Sequence, residues 1–276
     1  MATPIGNLGD LSPRAVAVLR AVDLVLCEDT RHSRRLLDSH AISTPLEACH
    51  EHNERRNADV LVERLREGAA FALISDAGTP LISDPGYALV GAVAAAEIPV
   101  RAIPGPCALV AALSIAGLPT DRFVFEGFLP ARSEARRERL RALAGETRTL
   151  VFYEAPHRLA AAIADMSATF GAGRSAVIAR EMTKRFETTY RGTLAELAAR
   201  SATDTNAARG ELVVMVAGEP PGQSSTSEDA DRLLRVLLAE TDRKAALRIA
   251  QTLTGISRNA LYQRILEMER DTRRED

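Results

Sequence analysis

The chain has 276 residues, which at roughly 150 residues per domain argues for about two domains and room for a sizeable core. Apolar residues make up 46% and charged residues 26%, a balance that excludes a disordered, collagen-like or coiled-coil protein. The 35 Lys and Arg against 37 Asp and Glu leave a net charge of −2, so any nucleic-acid contact must come from local basic patches.

In chain order, apolar runs of about five residues alternate with helical patterns, the signature of an α/β protein. Residues 6–10 form a turn. Ser12 then caps a helix with Pro13 at its first position, and Ala15, Val16, Leu19 and Val22 recur at helical spacing. A strand is predicted at 23–27, a polar helix at 30–39, a short strand at 46–49, and an N-capped helix at 57–67 stopped by Gly68. The next strand is 70–75. After the turn Asp76 to Pro80, Asp84-Pro85 opens an alanine-rich helix, and residues 100–103 form a strand leading into Pro104-Gly105-Pro106. The uncharged run 102–120 is long enough to raise a membrane span, but Pro104, Gly105, Pro106, Gly117 and Pro119 make it a strand end, a turn and a core helix. No basic segment or apolar run follows Met1, so no signal peptide is expected.

From 118 onward strands are predicted at 123–128, 149–153, 176–179, 186–190 and 211–216, with helices at 134–143, 157–170 and 194–199. Two of these strands adjoin without a helix between them, so the second sheet is expected to be mixed. Residues 219–229 read as a linker by their Pro, Gly and Ser content. Three short amphipathic helices follow, marked by Leu233, Leu234, Leu237 and Leu238, then Ala246, Ile249, Ala250 and Leu253, then Leu261, Ile265 and Leu266, with Gly255 in the last turn. The expected division is an N-terminal α/β domain over 1–117, a second over 118–218, the linker, and a helix-turn-helix-like appendage over 230–276.

Cys27, Cys49 and Cys107 are widely spaced with no C-x-x-C, which suggests neither a disulfide framework nor a zinc site and fits a reducing cytoplasm. Neither a G-x-G-x-x-G after a strand nor a P-loop occurs. Three Gly/Pro turns do sit at predicted strand C-termini, at 3–7, 76–80 and 104–108. Each alone reads better as a tight turn; together they mark the place where open α/β sheets bind ligands. His32, His50, His52 and His157 have no Cys or carboxylate cluster to complete a metal site, so no metal is expected and polar surface or RNA contact is the alternative.

The blocks ATPIGNLGD (2–10), EDTRHSRRLL (28–37), HEHNE (50–54), SDAGTPLISDPG (75–86), IPGPCAL (103–109), LPTDRFVFEGFLP (118–130), FYEAPHRL (152–159) and REMTKRFE (180–187) closely resemble the bacterial ribosomal RNA small subunit methyltransferase I family. The resemblance runs from Ala2 to Gly218, and the C-terminal helices resemble that family's helical domain. It implies the two-domain tetrapyrrole-methylase fold, with a mostly parallel first sheet and a mixed second sheet, in a homodimer. It also implies S-adenosylmethionine as methyl donor and methylation of the ribose 2′-oxygen of a cytidine in the decoding region of 16S rRNA, free or within the 30S subunit. By the same resemblance Pro4, Asp76, Ala77, Gly78, Leu81, Ile82, Cys107, Ala108, Phe152, Tyr153 and Met182 line the cofactor. Cys107 departs from the family's usual Ser and loses a strong hydroxyl hydrogen bond. Gly78→Arg is accordingly expected to abolish cofactor binding with thermal unfolding near wild type.

For chemistry, Lys184 and Glu181 in the REMTK segment and Asp29 at a strand end are candidates for base or ribose-orienting group, with surface ion pairs as the alternative reading. Arg31, Arg34 and Arg35 on one helix, and Arg132, Arg136 and Arg137 on another, are candidate phosphate contacts, although interleaved Glu134 and Glu138 also suit a solvated face. Aromatic content of 4% with no Trp argues against extensive base stacking. A small-molecule methylase on the same fold and a non-catalytic RNA-binding protein remain alternatives. Finally, a turn at 4–7 closing a parallel strand needs about five apolar residues before it. Family members carry such a strand ending in Val, and the Ala- and Arg-rich composition suggests GTG codons. The expectation is that translation starts upstream and Met1 stands at an internal Val.

Overall fold

The computed structural model describes residues 1–50, 53–204, 209–220 and 227–275. By packing, the chain divides into two compact units, Met1–Arg141 with Thr149–Ala217, and Ala142–Arg148 with Gly218–Asp276. The expected boundary at Gly117 falls between two sheets of the first unit.

The first sheet has the order β2-β1-β3, with β1 (Leu24–Cys27) parallel to both β2 (Leu46–Ala48) and β3 (Phe71–Leu73). Alternation along β1 sorts its core residues by face. Val25 and Cys27 pack with Leu19, Leu36 and Leu37, whereas Leu24 and Leu26 pack with Leu61, Val62, Leu89 and Val93. The helices supplying these residues are α1 (Pro13–Ala21), α2 (Thr30–Ser39), α3 (Glu54–Arg66) and α4 (Tyr87–Ala95). Ser12 caps α1 through the Ala15 N–H, as its position next to Pro13 predicts.

Three local expectations are corrected. Helix α3 begins at Glu54 rather than 57, because Asn53 spends its amide on the preceding turn, accepting from the His50 N–H and donating to the Ala48 carbonyl. Helix α4 begins at Tyr87 rather than at Asp84-Pro85, because Gly86 stands in the left-handed region at φ 116°. Residues 100–103 form no strand: Met1 and Ala2 enter beside them, the Met1 ammonium donating to the Leu73 carbonyl and the Ala2 N–H to the Ile103 carbonyl.

The second sheet has the order β4-β5-β8-β6-β7 and is mixed, as expected. Strands β4 (Phe123–Phe128) and β5 (Thr149–Glu154) are parallel; β8 (Leu212–Val216) runs antiparallel to β5 and β6 (Ser175–Arg180), and β7 (Thr188–Thr193) is an antiparallel edge. Helix α5 (Ala108–Ala116) covers one face, packing Leu109, Ala112, Leu113 and Ala116 against Val151, Val177, Ala179, Val213 and Met215. Helices α6 (Ser133–Ala142), α7 (Leu159–Phe170) and α8 (Leu194–Thr203) complete this part, α7 after a 3-10 turn at Pro156–Arg158 and α8 behind a Thr193/Glu196 capping box.

In the second unit, α9 (Ser227–Glu240), α10 (Arg243–Thr254) and α11 (Arg258–Glu275) bury Leu234, Leu247, Ala250, Leu261 and Ile265 around one small core. Helix α9 takes in the last three residues of the expected linker, of which 221–226 lie outside the described residues. Asp242 caps α10, Gly255 ends it at φ 69°, and Leu253 is exposed rather than in the stripe. Helix α11 is 18 residues long and so not short. Among the described residues no helix is long and apolar enough to cross a membrane.

Candidate functional site

The three Gly/Pro turns are fastened to one another. Thr3 and Gly78 exchange backbone hydrogen bonds of 2.8 and 3.1 Å, the Thr3 hydroxyl donates to the Ser75 carbonyl, and the Thr79 hydroxyl donates to the Pro106 carbonyl at 3.0 Å. Beside them, at the C-terminal ends of β3, β4, β5 and β6, lies a cavity of about 280 Å³. Ile5, residues 77–79 and 82–84, Ala108, Phe128, residues 153–156, Met182 and residues 210–213 line it. Ligands bind at this end of α/β sheets because backbone groups released from the ladders point outward there.

Two loops at the cavity are conformationally forced. Of six described non-glycine residues at positive φ, Leu81 (72°), Ser83 (66°), Glu181 (50°) and Thr183 (65°) sit in them. Such strain persists only where surrounding structure over-determines it, and it concentrates at functional sites. Gly78, at φ 84°, is the residue type its place requires.

Of the residues the family resemblance points to, Ala77, Gly78, Ile82, Ala108, Tyr153 and Met182 meet at the cavity wall. Pro4, Asp76, Leu81 and Cys107 are half-buried neighbours that do not line it. Phe152 does not reach it either: this ring is fully buried, on the opposite side of β5 from Val151 and Tyr153, which pack with α5. It is a core residue, and Phe152→Leu is expected to lower unfolding free energy by about 1 kcal/mol in a denaturant titration. Tyr153 accepts the N–H of Leu109, the second residue of α5, at 3.1 Å, and the rings of Phe125 and Phe128 meet it edge-on. Burial raises its phenol above the ordinary range, so it stays neutral.

The candidate bases are engaged. Asp29 is the N-cap of α2 and accepts the Arg31 and His32 N–H groups, which hold its carboxyl below the ordinary range. Lys184 lies over Gly6, where an added Cβ would stand 2.4 Å from Lys184 Cγ, and its ammonium reaches Glu181 at 2.9 Å and Glu211 at 3.2 Å. Burial pulls the ammonium down, but the two carboxylates outweigh it and the net shift is upward, so Lys184 is a cation and not a base at neutral pH. Burial raises Glu181, but the Glu211 N–H and Lys184 lower it further, so its carboxylate is a weak base that ties the 181–184 loop to β8.

Among the basic candidates, Arg31, Arg35, Arg132 and Arg137 are exposed. Arg34 is half-buried and donates to the Thr44 carbonyl. Arg136 departs from the expectation: it is buried and paired with Asp165 at 2.7 Å, which removes it from the surface. His50 is half-buried and His52 lies outside the described residues. Among the described residues no cluster of His, Cys, Asp or Glu could hold a metal. Asp84, Glu154, Thr79 and Glu211 line the cavity without having been singled out; Asp84 stands in the SDAGTPLISDPG block, where its place before Pro85 suggests only a helix start.

Residues 2–198 match the family model for tetrapyrrole (corrin/porphyrin) methylases, and residues 224–269 match the RsmI C-terminal HTH domain. Ribosomal RNA small subunit methyltransferase I of Pseudomonas aeruginosa is 56% identical over 98% of this chain and 96% of its own length. Its counterpart in Escherichia coli O157:H7 is 48% identical over 97% and 93%. Among solved structures, the methyltransferase CobJ superposes with a TM-score of 0.56 at 21% identity, covering 78% of this chain and 91% of that one. A Thermus thermophilus uroporphyrin-III C-methyltransferase complexed with S-adenosyl homocysteine superposes at 0.50, with 19% identity and coverage of 78% and 94%. These structural likenesses establish a shared fold.

Proposed function

Because the chain belongs to the ribosomal RNA small subunit methyltransferase I family, on the tetrapyrrole-methylase fold, we propose that it methylates 16S rRNA using S-adenosylmethionine. The finer reading is transfer to the ribose 2′-oxygen of a cytidine in the decoding region, by a homodimer in the cytoplasm. The observation that carries it is the cavity at the strand C-termini. Its walls suit an amphipathic nucleoside: Ile5, Ile82, Ala108, Met182 and Val213 offer apolar surface to a purine, while Thr79 and Glu154 offer polar groups to the rest of the molecule. When bound, S-adenosylmethionine supplies a methyl group on a sulfonium, which needs no metal in principle. The chain's own part is to hold and orient the two reactants, which converts an encounter into a step within one complex. Lys184, bridging Glu181 and Glu211, keeps the strained 181–184 loop seated on Gly6 beside that cavity. Exposed Arg31, Arg35, Arg132 and Arg137 provide phosphate contacts that position RNA without reading its sequence.

The test is incubation of the purified chain with labelled S-adenosylmethionine and unmethylated 30S subunits or naked 16S rRNA, followed by digestion to nucleosides. Label in 2′-O-methylcytidine supports the reading; label in a base, or transfer to a tetrapyrrole instead, refutes the finer or the whole of it. Lys184→Ala is expected to retain S-adenosylmethionine binding but to lose at least tenfold in turnover, about 1.4 kcal/mol in barrier. A loss of less than threefold would remove Lys184 from the reaction.

A further inference from the structure

Three carboxylates line the cavity, and two of them stand in ion pairs. The Glu154 side chain is fully buried, accepting from the Ala155 N–H at 2.8 Å and standing 3.3 Å from Arg158 Nε. Glu211 is paired with Lys184. Asp84 alone of the three has no ionic partner among the described residues. Its backbone is held on both sides: Ser83 precedes it in the left-handed region, and two residues later the Gly86 N–H is fixed at 2.7 Å by buried Glu54. Across the sheets, Ser83 also limits Gly127 of β4, where a Cβ would stand 3.0 Å from its hydroxyl. The backbone that carries this carboxylate is therefore fixed at the cavity wall, and the side chain caps no helix.

On the reading of the chain as a ribose methyltransferase, we infer that Asp84 is the proton acceptor for the attacking hydroxyl. As the hydroxyl oxygen forms its bond to the methyl carbon, the carbon–sulfur bond breaks with its electron pair left on sulfur, and the hydroxyl proton passes to the Asp84 carboxylate. The environment suits that task. Burial pushes Asp84 up to about 6; Ser75 opposes this by hydrogen bonding, and Glu28 at the end of β1 and Asp76 after β3 add to it, with neutral Tyr153 facing it from β5. A base with that affinity is ionised at pH 7.5 yet holds a proton better than Asp29 or Glu181.

Single-turnover methylation of 30S subunits by wild type is expected to rise about tenfold per pH unit below about pH 6 and level above it. Asp84→Asn should be at least 100-fold slower at pH 7.5 at saturating methyl donor and should lack the rise, Asp84→Glu should restore part of both, and donor affinity by calorimetry should stay within threefold. A second readout needs no turnover. The folded protein holds this proton more tightly than an unfolded Asp near 3.9, so wild-type stability falls relative to Asp84→Asn between about pH 4 and 6 and then runs parallel. Turnover within threefold of wild type, an unchanged pH limb in Asp84→Asn, or a rate loss fully explained by donor affinity overturns the assignment while leaving methylation intact. A wild type inert on every rRNA substrate sinks the methylation reading and the assignment with it.

Discussion

Gly78→Arg is expected to abolish S-adenosylmethionine binding in calorimetry, at least a 100-fold loss, and with it all methylation. Gly78 lines the cavity, and a Cβ there would already touch Ile5 Cγ2 at 3.4 Å, so the rest of an arginine side chain must occupy the space a nucleoside needs. Unfolding will not stay near wild type, as the sequence alone suggests. At φ 84° any L side chain costs about 1–2 kcal/mol, so the midpoint should drop by a few degrees. Gly78→Ala separates the two effects: it carries the same backbone penalty without filling the cavity. Its donor affinity should fall less than tenfold. Equal losses in both variants would assign the effect to backbone distortion, and normal affinity in Gly78→Arg would take the loop out of the site.

The candidate site is legible in the sequence because its loops are turns marked by Gly and Pro. Gly and Pro at strand C-termini are local signals, and the three turns they mark at 3–7, 76–80 and 104–108 are the ones that bond to one another. The parallel first sheet and mixed second sheet were legible for the same reason, since apolar runs and their connections are local. What failed depends on pairing and register. Residues 100–103 have strand composition but no ladder partner. Apolar Phe186 points to an edge strand that begins two residues before β7 does, yet that ring is exposed and the ladder begins at polar Thr188. Phe152 and Tyr153 are adjacent in one motif, and only the register of β5 decides that one enters the core and the other the cavity. Asp84 looks like a helix opener until Glu28 and Asp76, 56 and 8 positions away, are seen to gather around it.

Arg136→Ala tests the same distinction between surface and interior, with the largest stability change expected here. In sequence Arg136 stands in a run of arginines suited to phosphate. In the fold its guanidinium is 6% exposed and bonds Asp165 of α7 through two nitrogens, at 2.7 and 2.8 Å, with Asp165 itself 16% exposed. Removing one member of a buried pair leaves the other desolvated and unpaired, which costs about 3 kcal/mol, far above the loss of an exposed ion pair. The unfolding midpoint should fall by about 9 °C for a domain of this size. Replacing both residues at once, Arg136→Met with Asp165→Leu, should recover most of that loss, because no buried charge then lacks a partner. Retention of rRNA by Arg136→Ala, measured below its unfolding range, should match wild type, whereas Arg132→Ala with Arg137→Ala should weaken it and flatten its salt dependence. A variant at Arg136 that unfolds normally but releases RNA would place this guanidinium on phosphate and dissolve the α6–α7 pair as its reason for being there.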